Sequence, residues 1–320
     1  MLLSMKRLRQ FLGVLWLIDG LLQLQPQMFT MNMVNGVMAP IVDGQPGAIG
    51  TSLQWIVNTV TSNLVLVNWL IAVVQVALGV LLILGLWIRP TIIVSIVWAL
   101  LVWYGGEGMS MLLTGQASIL SGAPGAVLLY PLIGLAVYPR RESKEQNEGL
   151  ISRLQLRWVL AGFWIFAALL QLQPFWWQPQ QISGAIGGMV GGGGLNTYLF
   201  DPALQAIANA TTSAEIPLNI VMIVVFLALG IGLVLAKREH VMPFLIASLV
   251  ISVVIWYFTQ AFGMIFTGMA TDFNSGLLVI LLTLGCWPRT AAQAAQKSNR
   301  FSELRQQARE AGETNSTQVG

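Results

Sequence analysis

The sequence predicts an all-α, polytopic transmembrane protein, with eight helices arranged as two tandem, parallel four-helix bundles. Three observations carry that expectation. Of the 320 residues, 56% are hydrophobic and only 9% charged, against roughly 25% charged in soluble domains. The mean hydropathy is +0.72, and that much apolar surface calls for lipid around it. Long apolar stretches recur between turn signals, and the two halves of the chain repeat one another. A soluble enzyme, a disordered chain and a disulfide scaffold are excluded together.

The spans are expected at 8–28, 64–88, 91–113, 117–138, 155–176, 217–236, 241–266 and 270–287. Six are long enough to cross a bilayer. The fourth and eighth are short: from Pro124 or Gly276 onward a helix climbs only about 18 to 23 Å. Either the preceding loop dips into the bilayer or protein shields the helix ends. The first span resembles a signal peptide, MKRLRQ followed by FLGVLWLI, but no small-residue cleavage site follows and a near copy recurs at span five. It is read as a retained helix.

All 16 basic residues fall on one face of this map: Lys6, Arg7 and Arg9, Arg89, the group from Arg140 to Arg157, Lys237 and Arg238, and those from Arg289 onward. Asp43, Glu107, Asp201, Glu215 and Asp272 fall on the other. Positive loops stay inside, so the expected location is the cytoplasmic membrane with both termini cytoplasmic. The basic balance is a topology signal, and nucleic acid is not an expected partner.

The repeat is visible residue by residue. Trp16 and Gln23-Leu24-Gln25-Pro26 return as Trp164 and Gln171-Leu172-Gln173-Pro174; Asn68 and Gly79 return as Asn219 and Gly230. The string TGQAS from Thr114 returns as TGMAT from Thr267, and Pro139-Arg140 as Pro288-Arg289. The offset changes only across loops, as duplication requires. An even number of spans per copy makes the copies parallel. The expected organisation is a first transmembrane repeat over 1–139, a cytoplasmic linker over 140–157, a second repeat over 158–289 and a polar tail over 290–320. The tail is expected as a short surface helix and a frayed end beside anionic lipid.

A Trp-bearing first helix, a glycine-spaced second helix ending GVLLILGLWIRP (Gly79 to Pro90) and a third helix following at once resemble the DoxX/DoxD group of small bacterial membrane proteins. The resemblance covers each half once, as a tandem duplication of the four-helix unit. It implies a redox-associated or quinone-interacting subunit of a respiratory or oxidoreductase assembly, with quinone as the implied cofactor and a membrane or extracytoplasmic protein as the implied partner. It carries over no catalytic residue.

Few residues can carry chemistry. Cys286 is the only cysteine and His240 the only histidine, so zinc, haem and catalytic-triad readings fail. Asp19 is the one acid deep in a span, where an ionised carboxylate costs roughly 2.5–3.5 kcal/mol on insertion scales. It must face the interior, be protonated or have a partner. Gln23 lies one turn further, Gln25 beside it, and Glu107 at about the same height on span three. With Asn68 and Gln75 on one face of span two, these six residues are expected to line a polar pocket open to the outside, for a quinone or a proton. Ser95 on span three adds a further polar group to the same region. The opposing account is that they only hydrogen-bond between helices. Asp19, Gln75 and Glu107 become Ala167, Phe226 and Gln260 in the second copy, so any active site belongs to the first.

The remaining signals have structural accounts. Thr114-Gly115 and Thr267-Gly268 suit tight turns whose hydroxyls cap the next helix, and an Asx cap explains Asp272 and Asn274. Met28, Met31 and Met33 could hold Cu(I) as soft thioether ligands, but also suit apolar filler. The run from Ser183 to Gly194 has no Lys and is expected as a flexible or membrane-skimming loop. Two further functions compete with the redox subunit: a small-solute or proton-coupled transporter, and a structural assembly factor.

Overall fold

The computed structural model describes residues 4–139, 149–237 and 239–288. The tail after Arg289 and most of the charged linker lie outside the described residues. Among the described residues there are ten helices of more than ten residues and no strand. In order they are α1 (Met5–Leu22), α2 (Gly47–Ser62), α3 (Leu64–Leu84), α4 (Ile88–Gly105), α5 (Ala126–Val137), α6 (Arg153–Gln171), α7 (Asp201–Thr211), α8 (Glu215–Leu235), α9 (Met242–Phe258) and α10 (Asn274–Gly285).

Local chemistry sets the helix ends. The Ser4 hydroxyl accepts from the Arg7 N–H (3.1 Å) at the start of α1. Ser152 and Gln155 form a reciprocal capping box on α6. At the end of α3, Gly85 turns left-handed at φ 76° while the Leu86 N–H reaches back to Leu81 O (3.0 Å).

Four helices, α3, α4, α6 and α8, are long and apolar enough to cross a membrane, at 18 to 21 residues each. Two of them leave bare apolar stripes: Leu66, Leu70 and Val73 on α3, and Val221, Val224 and Leu235 on α8. Such stripes fit lipid and would be costly in water.

The short helices α5 and α10 are different. Each has 12 residues, about 18 Å of helix, and most of their side chains are buried. They pack on each other, with α1 and α4 around α5, and α6 and α9 around α10. Protein therefore shields their ends, one of the two solutions expected for short spans. The stretches expected as spans three, four, seven and eight form shorter helices than expected: residues 106–125 and 259–273 lie outside the α-helices.

Each half joins its first and second long helices tightly. A Cβ on Gly79 would stand 2.5 Å from Leu17 N, and one on Gly230 3.0 Å from Ile165 N. Gly79→Ala should therefore push α1 from α3 and lower stability by about 1–3 kcal/mol, the usual range for overpacking. Gly162→Ala, with open space around it, should leave Tm unchanged or slightly raised in the same thermal melts of detergent-solubilised protein.

The same hydrogen bonds recur in both halves. Trp16 Nε1 donates to Ser95 Oγ (2.8 Å) and Trp164 Nε1 to Ser248 Oγ (2.8 Å). Asn68 Nδ2 donates to Gln23 O (2.8 Å) and Asn219 Nδ2 to Gln171 O (3.1 Å). Trp103 Nε1 donates to Pro124 O, and Trp256 Nε1 to Phe273 O, both at 2.7 Å.

The segments expected as loops at the acidic end are folded caps. Met28, Met33, Val34, Met38 and Ile41 bury against Leu53 and Val57 of α2. Trp176, Ile182, Ile186 and Phe200 bury against Leu204 of α7. The glycine-rich run thus begins as ordered helix, Gln181–Gly187, held where the Gln181 and Ser183 N–H groups donate to the Glu215 carboxylate, each at 3.0 Å. The caps also exchange residues. Leu120 of the first half enters the second cap's core, and Met269 of the second half packs on the first cap's core.

Candidate functional site

Beyond α4 and beyond α9 the backbone makes the same unusual turn. Gly108, Met109, Ser110 and Met111 have φ of 53°, 55°, 51° and 61°, and Ala261, Phe262, Gly263 and Met264 have 43°, 54°, 73° and 55°. Left-handed geometry costs roughly 1–2 kcal/mol per non-glycine residue, and such strain gathers where a fold must aim particular side chains. A Thr-Gly pair closes each turn. Thr114 Oγ1 donates to Met111 O and Thr267 Oγ1 to Met264 O, both at 2.8 Å, with Gly115 and Gly268 at φ 77° and 83°. The hydroxyls also accept the N–H groups of Gln116 and Met269, each at 3.2 Å. They stabilise the turn itself and do not cap the next helix as expected, because each turn continues as loop before the helix begins.

The two Gln-Leu-Gln-Pro segments meet the opposite copy's turn. Gln173 Nε2 and Trp176 Nε1 both donate to Ala117 O (3.1 Å), and Gln171 Nε2 donates to Ser118 Oγ. Gln25 Oε1 lies against Gly268 as Gln173 Oε1 lies against Gly115.

The first turn aims Glu107 at the start of α5. Its Oε1 accepts the Val127 N–H (3.1 Å) and its Oε2 the Ser110 hydroxyl (3.3 Å). Gln260 holds the equivalent place, with its Oε1 accepting the Gly276 N–H (3.0 Å) at the start of α10. A neutral amide therefore suffices for this cap. The carboxyl at 107 exceeds what helix capping needs.

Glu107 opens on a cavity of about 260 Å³ lined also by Ser110, Met111, Ser121, Gly122, Ala126, Asp272 and Asn274. The two halves share it: Asp272 comes from the loop before α10, where its Oδ1 accepts the Asn274 N–H (2.6 Å) and its Oδ2 the Thr271 hydroxyl (2.9 Å). The expected Asx turn is present, and the same carboxyl forms a cavity wall. Two glycines make room. A Cβ on Gly122 would overlap Asn274 Oδ1, and one on Gly125 would overlap Glu107 Oε2. No Lys or Arg stands among the lining residues.

Glu107 lies past the end of α4, and burial pushes its carboxyl up to about 8, with the neighbouring Asp272 adding to the rise and the Val127 N–H and Ser110 hydroxyl opposing it. Burial raises Asp272 as well, against the Asn274 N–H and the Thr271 hydroxyl. Both acids thus hold protons above the usual carboxylate range, because burial disfavours their charged forms and no cation lines the cavity to offset it.

Of the six residues expected to share one pocket, Glu107 lines this cavity. Asp19, Gln23, Asn68 and Gln75 are buried in the first half among α1, α3 and α5, and Gln25 is half-buried beside Gly268. Of these, Asp19 lies within electrostatic range of both Asp272 and Glu107. Asp272 and Ser110 were not legible as cavity residues. The signal for Asp272 was its place among the acids on the face without cations. Met28 and Met33 are core residues of the first cap while Met31 faces outward at 48% exposure, so the three thioethers do not converge. His240 is exposed beside Glu239 (3.7 Å), and Cys286 is buried. Among the described residues no group of three His, Cys, Asp or Glu side chains could hold a metal.

No protein-family model, curated protein or solved structure matches the chain.

Proposed function

We propose that the chain is an eight-span protein of the cytoplasmic membrane, built as two parallel four-helix repeats with its basic end inside, and that the shared cavity takes up a small organic cation from the outside in exchange for a proton. The observation that carries this reading is the meeting of Glu107 and Asp272, one from each half, across a cavity with no cationic side chain in its lining. A bound cation supplies the missing charge. It favours the ionised carboxyls and so displaces the proton that burial holds there.

The space suits a methylated amine or a guanidinium of a few heavy atoms, with the Ser110 and Ser121 hydroxyls and the Asn274 amide to orient it. This is the small-solute transporter among the expectations. The quinone and redox-subunit expectation draws on the DoxX resemblance and on the polar residues around Asp19, and the cavity lining carries no aromatic ring for a quinone to stack on.

The test uses the full chain in lipid nanodiscs and calorimetric titration above pH 8. Methylguanidinium should bind saturably and its neutral isostere N-methylurea should not. A hydrogen bond to a charged group contributes about 1.5–3 kcal/mol, so Glu107→Gln and Asp272→Asn should each weaken binding by about tenfold or more. Equal binding of the neutral isostere, or unchanged affinity in the double variant, would overturn the reading.

A further inference from the structure

The second half serves as an internal control for the first. Within the frame of shared hydrogen bonds described above, three positions change together: Asp19, Gln75 and Tyr130 stand where the second half has Ala167, Phe226 and Val279. The last pairing follows from the start of the short helices, where the Val127 N–H meets Glu107 and the Gly276 N–H meets Gln260. In the second half the set is apolar and buried, with Phe226 packed on Trp164 at 5.4 Å between ring centroids. In the first half Tyr130 covers Trp16 at 4.6 Å and donates its hydroxyl to Asp19 Oδ2 (2.6 Å).

The apolar set shows that this crossing of helices packs without polar groups. Beside the unpaired oxygens of Gln23 and Asn68, which recur in the second half at Gln171 and Asn219, the polar set adds two more, Asp19 Oδ1 and Gln75 Oε1, with no hydrogen-bond partner. Burial of unpaired acceptors is unfavourable, so packing does not account for it. Both orphans are acceptors, and what they lack is a donor. The ionisable neighbours of Asp19 are Tyr130 on α5, Glu107 beyond α4 and Asp272 before α10, all acids, while α3 contributes only amides to this core, Asn68 and Gln75. A proton on Oδ1 removes the charge and turns one orphan acceptor into a donor, while the Tyr130 hydroxyl serves the other oxygen.

We propose that Asp19, held by Tyr130 with Gln75 on the facing helix, is a buried proton-binding site whose occupancy opposes that of the cation pocket. With the pocket empty the proton stays on Asp19. Above about pH 8, where Glu107 is ionised, a cation beside Glu107 and Asp272 cancels the negative field that Asp19 feels and eases proton release, and by linkage the proton on Asp19 weakens the cation. The antagonism rests on the pocket reading; the proton site does not.

Infrared spectra of the full chain in nanodiscs at about pH 9, above the value of about 8 at which Glu107 gives up its proton, without and with methylguanidinium, test both parts. Probe-free protein should show a protonated-carboxyl carbonyl band that is lost in Asp19→Asn, shifted in Tyr130→Phe and retained in the Glu107→Gln/Asp272→Asn double variant. The probe should diminish the band in wild type and leave it unchanged in the double variant. Copying the second half into the first, as Asp19→Ala/Gln75→Phe/Tyr130→Val, should give a folded protein that binds the probe saturably without the band. A band unaffected by Asp19→Asn would overturn the site, as would a band that sodium chloride removes at constant pH, which would mean a metal cation occupies it. A wild type that binds no probe yet shows the Asp19 band would end the pocket reading and leave the proton site standing.

Discussion

Methylguanidinium affinity is expected to rise about tenfold for each pH unit up to about 8 and then level off, because one proton must leave for each cation bound. The sign follows from Glu107. Its carboxyl is pushed up from an ordinary 4.5 to about 8, so below pH 8 Glu107 in the empty pocket is mostly neutral, and a cation must expel that proton to gain Glu107 as a charged partner. Calorimetry in buffers of different ionisation heat measures the released proton directly. Glu107→Gln should flatten the profile over the same range. Folding stability should move in the opposite direction: the protonated Glu107 contributes fully below about 4.5, and that contribution is lost as pH climbs to about 8. A wild-type affinity that ignores pH between 6 and 8, on the order of a hundredfold expected change, would remove Glu107 from the binding site.

Gly125→Ala should abolish probe binding at every pH. The residue stands at φ 117°, and a methyl there would overlap Glu107 Oε2 and come within 2.6 Å of Ser110 Oγ and 2.8 Å of Trp103 Cδ1. The carboxyl would have to leave the start of α5, losing the Val127 N–H and its place on the cavity wall. Backbone strain of about 1–3 kcal/mol should lower Tm as well. Gly47→Ala provides the control, with nothing within 4 Å of the new methyl. Normal binding in Gly125→Ala would show that the cation does not depend on Glu107 where the structure holds it.

Helices were legible wherever apolar runs were long, because lipid-facing segments write their environment into composition. The duplication was legible for a related reason: Trp16, Asn68 and Gly79 make contacts that admit few substitutes, and their counterparts make the same ones. The turns at 108–111 and 261–264 were not legible, since Met and Phe carry no preference for left-handed backbone and only the surrounding packing imposes it. The caps were missed because their helices are short and mixed in polarity, so that methionines which could be metal ligands in a loop became core. Asp272 was assigned to an Asx turn, correctly as local chemistry. Its second role depends on the approach of the other half, which no local pattern records.

The division of the cavity between the halves has a consequence for assembly. Its walls come from Glu107 in the first half and Asp272 in the second, so no pocket exists until α10 has docked against α5, and neither repeat alone could hold what the pair holds.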